Sequence, residues 1–386
     1  MITMKQRITT FDGLASGADI DLSDFDIPSA PEKIEKQYYH DLHFDGRQKE
    51  GLRYVECHFN NVTFEACHFR KLYFERCVMD NVQVMACNIS ELTFTDCHIQ
   101  RLTLNGGVVE QCLFLAGQLN HALFWNSRIE GLTFNGVSAA EMRLEKVQLA
   151  RWTAASSSFH QLTVVDSLFH DGGWYQSRLT DSCWQGGTLR RQAMNRCLLD
   201  RVSYRANYGD SSHNVWSECE LNQVDWRGFS LIGACLMNSR AAQCDFSASA
   251  MANAVLTAGY FSHCCFNQAE MTFCQATDVQ FIHCDFSGAA LAQARLAGSV
   301  LEHCQVTGAN FSRADMREMT VKETAFSGTG SSDGARTHGA SGLPAGREQD
   351  PLLMRLDAWY QINQPGRQAE TTPPAGPRRG GGSRYV

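Results

Sequence analysis

His263-Cys264, His283-Cys284 and His303-Cys304 set an imidazole beside a thiol three times, at a spacing of twenty residues. Imidazole and thiolate are ordinary zinc ligands, and a thiol next to a base is also the pair that covalent catalysis uses. Either chemistry requires the two side chains to converge on one point. Whether they do depends on the backbone that carries them, and the spacing itself describes that backbone.

Cut into fives, residues 57–81 read CHFNN VTFEA CHFRK LYFER CVMDN. A cysteine or small aliphatic residue recurs every five positions, followed two residues later by Phe or another large apolar side chain. A helix repeats about every 3.6 residues and a strand every 2, so a period of five is neither. The large residues, here called centres, run from Tyr54 to Tyr204 and again from Leu221 to Val321. Of the 16 cysteines, all but Cys183, Cys235 and Cys265 share the phase two before a centre. A residue confined to one phase is chosen for size and apolarity, because free cysteine behaves as a small buried hydrophobe.

A longer period lies above the first. LYF at 72–74 returns as LTF at 92–94, CLF at 112–114 and LTF at 132–134, and Cys244, Cys264, Cys284 and Cys304 are also twenty apart. Twenty residues make four units, which implies a coil with four faces whose successive turns stack at the ~4.8 Å spacing of neighbouring strands. Phe74, Phe94, Phe114 and Phe134 then form one ladder inside the coil, and the four cysteines form another. About 52 units correspond to roughly 13 coils in two stacks, a rod of ~60 Å.

In such a coil the cysteines point inward and the preceding histidines lie on an outward corner, so the two groups diverge. No metal, cofactor or nucleophile is expected from them. The chain has no CxxC pair, phosphate loop, HExxH or GxSxG; GGWYQS at 172–177 and NGG at 105–107 read as tight corners or relaxed core positions. Serines and histidines are scattered round four faces. The chain does not read as an enzyme.

The pattern of a small residue, Asp or Asn, a central Leu or Phe and two variable residues resembles that of pentapeptide-repeat proteins. It is closest at Ala309-Asn310-Phe311 and Ala314-Asp315-Met316, while the first block is a looser, Cys- and Phe-rich version. The resemblance covers roughly residues 52–326. It implies an all-β fold, a right-handed quadrilateral parallel β-helix, and says little of function because the repeat encodes a scaffold.

Five segments follow: an N-terminal cap at 1–50, a first solenoid stack at 51–204, a register-break loop at 205–220, a second stack at 221–326 and a flexible tail at 327–386. SAPEKIEKQYY in the first segment suggests a short helix, with Ser29 near the N-cap and Pro31 in the first turn. From Tyr204 to Leu221 is three units plus two residues, so the register slips there. The break loop either merely joins the stacks or presents Tyr208, His213 and Trp216 to a partner. The tail is rich in Gly, Pro and Ser. Within it a helix over 351–362 would place Leu352, Leu353, Leu356, Trp359 and Tyr360 on one face, to pack on the rod or to bind another protein.

The 386 residues carry a formal net charge of -7 and a pI near 6.0, which argues against a non-specific nucleic-acid binder. No apolar run approaches the ~18 residues of a membrane span, and polar residues interrupt any secretory signal near the start. The expected compartment is the cytoplasm, or export by a route independent of a signal peptide. The expected function is that of a non-enzymatic scaffold or adaptor that binds another protein. The Cys- and Phe-rich repeats are similar to segments associated with bacterial type VI secretion, which implies an accessory role there. The alternative is a DNA mimic of the kind some pentapeptide-repeat proteins use to bind type II topoisomerases such as gyrase. A mimic needs a continuous negative field. Residues 54–204 hold 14 acidic and 13 basic side chains, and residues 205–321 hold 11 and 6. Only the second stack leans acidic, which disfavours that alternative.

Overall fold

The period of five has its origin in the backbone. In each unit a few extended residues are followed by one in the left-handed region, two positions after the centre, as at Glu56, Asn61 and Ala66 or Gln223, Gly228 and Gly233. A left-handed residue turns an extended chain sharply, so every fifth residue makes a corner. Four corners close one coil. The protein, described by a computed structural model at residues 9–10, 32–205, 214–343, 355 and 359, is a parallel β-solenoid of about 14 turns.

Register confirms the coil of twenty. Leu92 pairs with Leu72 and Cys112, and Phe94 with Phe74 and Phe114, all in parallel ladders. The centre and the residue two before it both face inward, and together they form one continuous core from Tyr39 to Ala335. Along one face the rings of Phe74, Phe94, Phe114 and Phe134 stack with centroids 5.1, 4.7 and 5.1 Å apart. In the second stack Phe246, Phe266 and Phe286 do the same at 4.7 and 4.9 Å.

The two stacks turn their corners differently. In the second, at most corners the fourth residue of the turn donates to the centre, as Phe229 N to Trp226 O at 3.0 Å and Ala234 N to Leu231 O at 3.0 Å, while the face through Leu221, Ala241 and Phe261 keeps strands without that bond. The bonded corners are β-turns with a left-handed third residue. The Asp or Asn before the centre caps them: Asp245 Oδ1 accepts from Ser247 N at 2.9 Å, and Asn310 Oδ1 from Ser312 N at 3.0 Å. That bond is the physical reason for the Asp/Asn position of the repeat. In the first stack the corners lack the turn bond, and fewer such residues are needed.

The solenoid begins earlier than residue 51. Strands β1 (Thr9–Thr10), β2 (Glu32–Glu35), β3 (Gln37–Asp45) and β4 (Gln48–Val55) replace the helix expected after Pro31. Ile34, Tyr39 and Phe44 continue the five-residue phase of the centres backward, and parallel pairing of β2 with β4 wins over helix propensity. β1 pairs antiparallel with the start of β3 and covers part of that open edge. The first coil also carries Glu32, Arg47 and Lys49 on inward phases, with Lys49 Nζ 4.0 Å from Glu32 Oε2. Charges in core positions of a terminal coil keep another sheet from stacking on it.

The coil also continues past residue 326. A 3-10 turn at Phe326–Gly328 inserts one residue, after which Asn310 pairs with Ser331, Asp315 with Arg336 and Thr320 with Ser341. The last coil therefore sets Ser332, Thr337 and Gly342 where the coil beneath has Phe311, Met316 and Val321. The expected flexible tail begins in fact with a polar terminating coil. The register break is narrower than 205–220, since strands resume at Val215–Ser217 and Glu220–Asn222. Ala193 pairs with Val215 and Leu198 with Glu220, an offset of 22, so two residues are inserted between Arg205 and Asn214.

Candidate interaction surfaces

The side chains with the most reactive chemistry are locked inside. Cys264, Cys284 and Cys304 sit with Sγ 3.6, 3.4 and 3.3 Å from the carbonyl oxygens of Ala241, Phe261 and Phe281 in the coil below. Burial pushes the Cys264 thiol well above its ordinary range, and Cys274 up to about 12. Cys264 and Cys274, held protonated, are neither nucleophiles nor metal ligands, and the buried Cys284 beside them is out of reach of any outside group. The histidines stack outside, at the left-handed corner, with ring centroids of His263, His283 and His303 4.8 and 4.6 Å apart. His303 Nδ1 lies 3.2 Å from Glu323 Oε2. Among the described residues no His, Cys, Asp and Glu cluster able to hold a metal ion occurs.

Trp216 is not a surface anchor. It lies five residues before Leu221, on the phase of the centres, and is 1% exposed. Its ring packs against Tyr204 and Trp226, with centroids 6.5 and 5.7 Å away. Beside it, Gln192 and Asn214 fill inward positions where the inserted residues interrupt the ladder. Asn214 Oδ1 accepts from Gln192 N at 2.9 Å and its Nδ2 donates to Leu189 O at 3.0 Å, while Gln192 Nε2 donates to Arg190 O at 2.7 Å. Tyr208 and His213 lie outside the described residues, as do Leu352, Leu353, Leu356 and Tyr360. Arg355 and Trp359 are helical, and Trp359 is 56% exposed.

The glycine pairs serve the core. Gly172 makes room for Trp152 in the adjacent coil of the same column; a Cβ there would fall 2.3 Å from the indole nitrogen. Gly107 has φ +76° and approaches Cys87 O so closely that a Cβ would lie 2.0 Å from it.

The outer surface is charged but largely self-neutralised. Arg76 meets Glu56 at 3.1 Å, Arg201 meets Asp181 at 2.6 Å, Arg196 meets Glu218 at 2.8 Å and Arg227 meets Asp225 at 2.7 Å. The guanidinium of Arg201, hydrogen-bonded to Asp181, holds that carboxyl below the ordinary carboxylate range. Most of these pairs bridge successive coils. The concavities are open troughs; one, of 640 Å³, is lined by Lys49, Glu50, His68, Arg70 and Asn88 among others. Among the described residues no helix is long and apolar enough to cross a membrane.

Two family models match the chain: a pentapeptide repeat region over residues 50–124 and pentapeptide repeats, in eight copies, over 280–318. No curated protein sequence matches it. Solved structures similar to it include HetL from the cyanobacterium Nostoc sp. strain PCC 7120, a pentapeptide repeat protein involved in heterocyst differentiation regulation. That chain is 15% identical; the match covers 58% of this chain and 88% of HetL, with a TM-score of 0.29. A trypsin-treated form of QnrB1, a plasmid-mediated fluoroquinolone resistance protein, is 15% identical, with coverage of 60% and 97% and a TM-score of 0.31. The matched repeats lie in both stacks and parallel pairing carries the coil across the two-residue insertion between them, so pentapeptide repeats build the quadrilateral β-helix of this chain.

Proposed function

We propose that the protein is a non-enzymatic scaffold: a rigid rod whose outer faces and C-terminal segment bind another protein. The observation that carries this reading is the filled interior. Every coil from Tyr39 to Ala335 contributes to one continuous packed core, thirteen of its thiols are buried in it, and the remaining chemistry lies on flat outer faces. A flat rigid face recruits by shape and polarity rather than by enclosing a substrate. The setting implied by the Cys- and Phe-rich block is that of an accessory to bacterial type VI secretion, acting in the cytoplasm.

Ion pairing between coils works against the DNA-mimic alternative, because a carboxylate with a guanidinium beside it contributes little to a long-range field. Affinity capture from bacterial lysate tests both. The full chain is compared with a chain ending at residue 343, which keeps the terminating coil. A secretion component or cargo retained by the full chain at stoichiometric yield supports the scaffold, and retention by the shortened chain as well puts the binding on the rod. Topoisomerase subunits retained by both would favour the mimic. Stoichiometric retention of nothing by either chain overturns the scaffold reading.

A further inference from the structure

One face of the rod lacks charge over most of its length. On the face lined inside by Phe94, Phe114 and Phe134, each coil presents two outward side chains, one on either side of the centre. Parallel register carries the first of them from Thr93 through Leu113, Thr133, Thr153 and onward to Val255 and Gln275. The second follows two residues later in each coil, from Thr95 to Thr277. In these ten successive coils neither position holds Asp, Glu, Lys, Arg or His. Instead the face alternates hydroxyls with apolar groups: Leu113 with Leu115, Gly173 with Tyr175, Cys235 with Met237. Tyr175 is 43% and Met237 40% exposed. The other faces carry charge within the same span, as at Arg143 and Glu145, Arg178 and Asp200, or Glu110 and Glu130.

In these two columns charge returns only toward the ends, at Lys33, Glu35, Arg53 and Glu75 on one side and at Arg295, Asp315, Arg317 and Arg336 on the other. Lys33 and Glu35 flank the centre in the first coil, and Asp315 and Arg317 flank it near the last. A two-fold axis parallel to the rod would lay the face against itself, setting the first position of each coil opposite the second position of the same coil in the other copy. Lys33 then meets Glu35 of the second copy, and Asp315 meets its Arg317. Tyr175 meets Gly173, a knob over a position with no side chain. Within these two columns, from Lys33 to Arg317, no like charges oppose each other. Ten coils at ~4.8 Å and a face ~13 Å wide present roughly 620 Å² per copy, or about 1,250 Å² in all, within reach of the ~1,000 Å² a specific interface needs.

We infer that this face is a self-association surface, and that two copies of the protein pack along it with their rods parallel. The interface leaves the three charged faces free, so the assembly displays them in duplicate.

Sedimentation velocity on the full chain tests it. The wild type is expected as a dimer at micromolar concentration. Thr153→Lys combined with Ala155→Lys sets like charges opposite each other at the middle of the face, and is expected to give a monomer with unchanged far-UV circular dichroism and melting temperature. The control, Thr163→Lys with Val165→Lys in the same coil on the opposite face, should stay dimeric. A third chain, Thr153→Glu with Ala155→Glu, should be monomeric alone and form a heterodimer when mixed with the lysine variant. A wild type that is monomeric up to ~100 µM overturns the inference. So does a lysine variant that stays dimeric, or two folded monomeric variants of opposite charge that fail to pair.

Discussion

At the scale of single residues, the repeat uses cysteine where other units use Ser or Ala. Ser157 and Ser177 occupy the same column as Cys57, Cys77 and Cys97, and Ser177 Oγ likewise donates to the carbonyl of Ala154 in the coil below, at 3.2 Å. The position accepts any small side chain that can lie against a carbonyl. Thirteen cysteines are buried, while Cys183, Cys235 and Cys265 are half-buried on the outside. Titration with an aromatic disulfide reagent should therefore modify about three thiols quickly in the native protein and all 16 in denaturant. Fast reaction of many more would mean that the coils open readily. The corners make a second expectation. Ala66 holds φ 50°, where a Cβ costs about 1 kcal/mol relative to glycine. Ala66→Gly should raise the urea midpoint accordingly, and Gly107→Ala should lower it, because its Cβ meets Cys87 O.

At the scale of elements, the break between the stacks is a repaired defect. Two residues are inserted there, and the amides of Gln192 and Asn214 bond Gln192 N, Arg190 O and Leu189 O from inside the coil. Trp184, Tyr204 and Trp226 stack across the same region with centroids 5.1 and 5.7 Å apart, which ties one stack to the next. Asn214→Leu keeps the size but strands Gln192 N and Leu189 O. It should cost about 2–4 kcal/mol, since each buried unpaired group costs about 1–3. Chemical denaturation measures that loss directly, and a change below 0.5 kcal/mol would mean that water or the loop supplies the bonds.

This element also marks how far the sequence could be read. Periods of five and twenty made the coil, its four faces and the Phe74 to Phe134 ladder legible, because the core is filled by one residue class at one phase. Trp216 was legible too, by counting back five from Leu221, but its nearness to the break suggested a loop. The terminal coils were harder. Lys49, Ser332 and Thr337 hold centre positions without being apolar, for the physical reason that the outermost coil has core on only one side. The charge-free face leaves a signal only when every fourth unit is aligned, since a stretch of consecutive residues visits all four faces and mixes their compositions.

For the whole molecule, stability in a solenoid is a sum of coils and of contacts between neighbours, so the ends matter more than in a compact domain. The N-terminal coil is closed by β1 and by the inward Glu32, Arg47 and Lys49; the C-terminal end is closed by the coil that carries Ser332, Thr337 and Gly342. A chain ending at residue 343 should melt as the full chain does and stay monodisperse. A chain ending at residue 326 uncovers Phe311, Met316 and Val321, all nearly inaccessible in the intact rod. Burying such side chains is worth roughly 1.5–3 kcal/mol each, so the shorter chain should melt lower and aggregate through its open end. Light scattering during thermal melts separates the two. Equal behaviour of both truncations would show that residues 327–343 add nothing to the rod and that its end is protected by something beyond them.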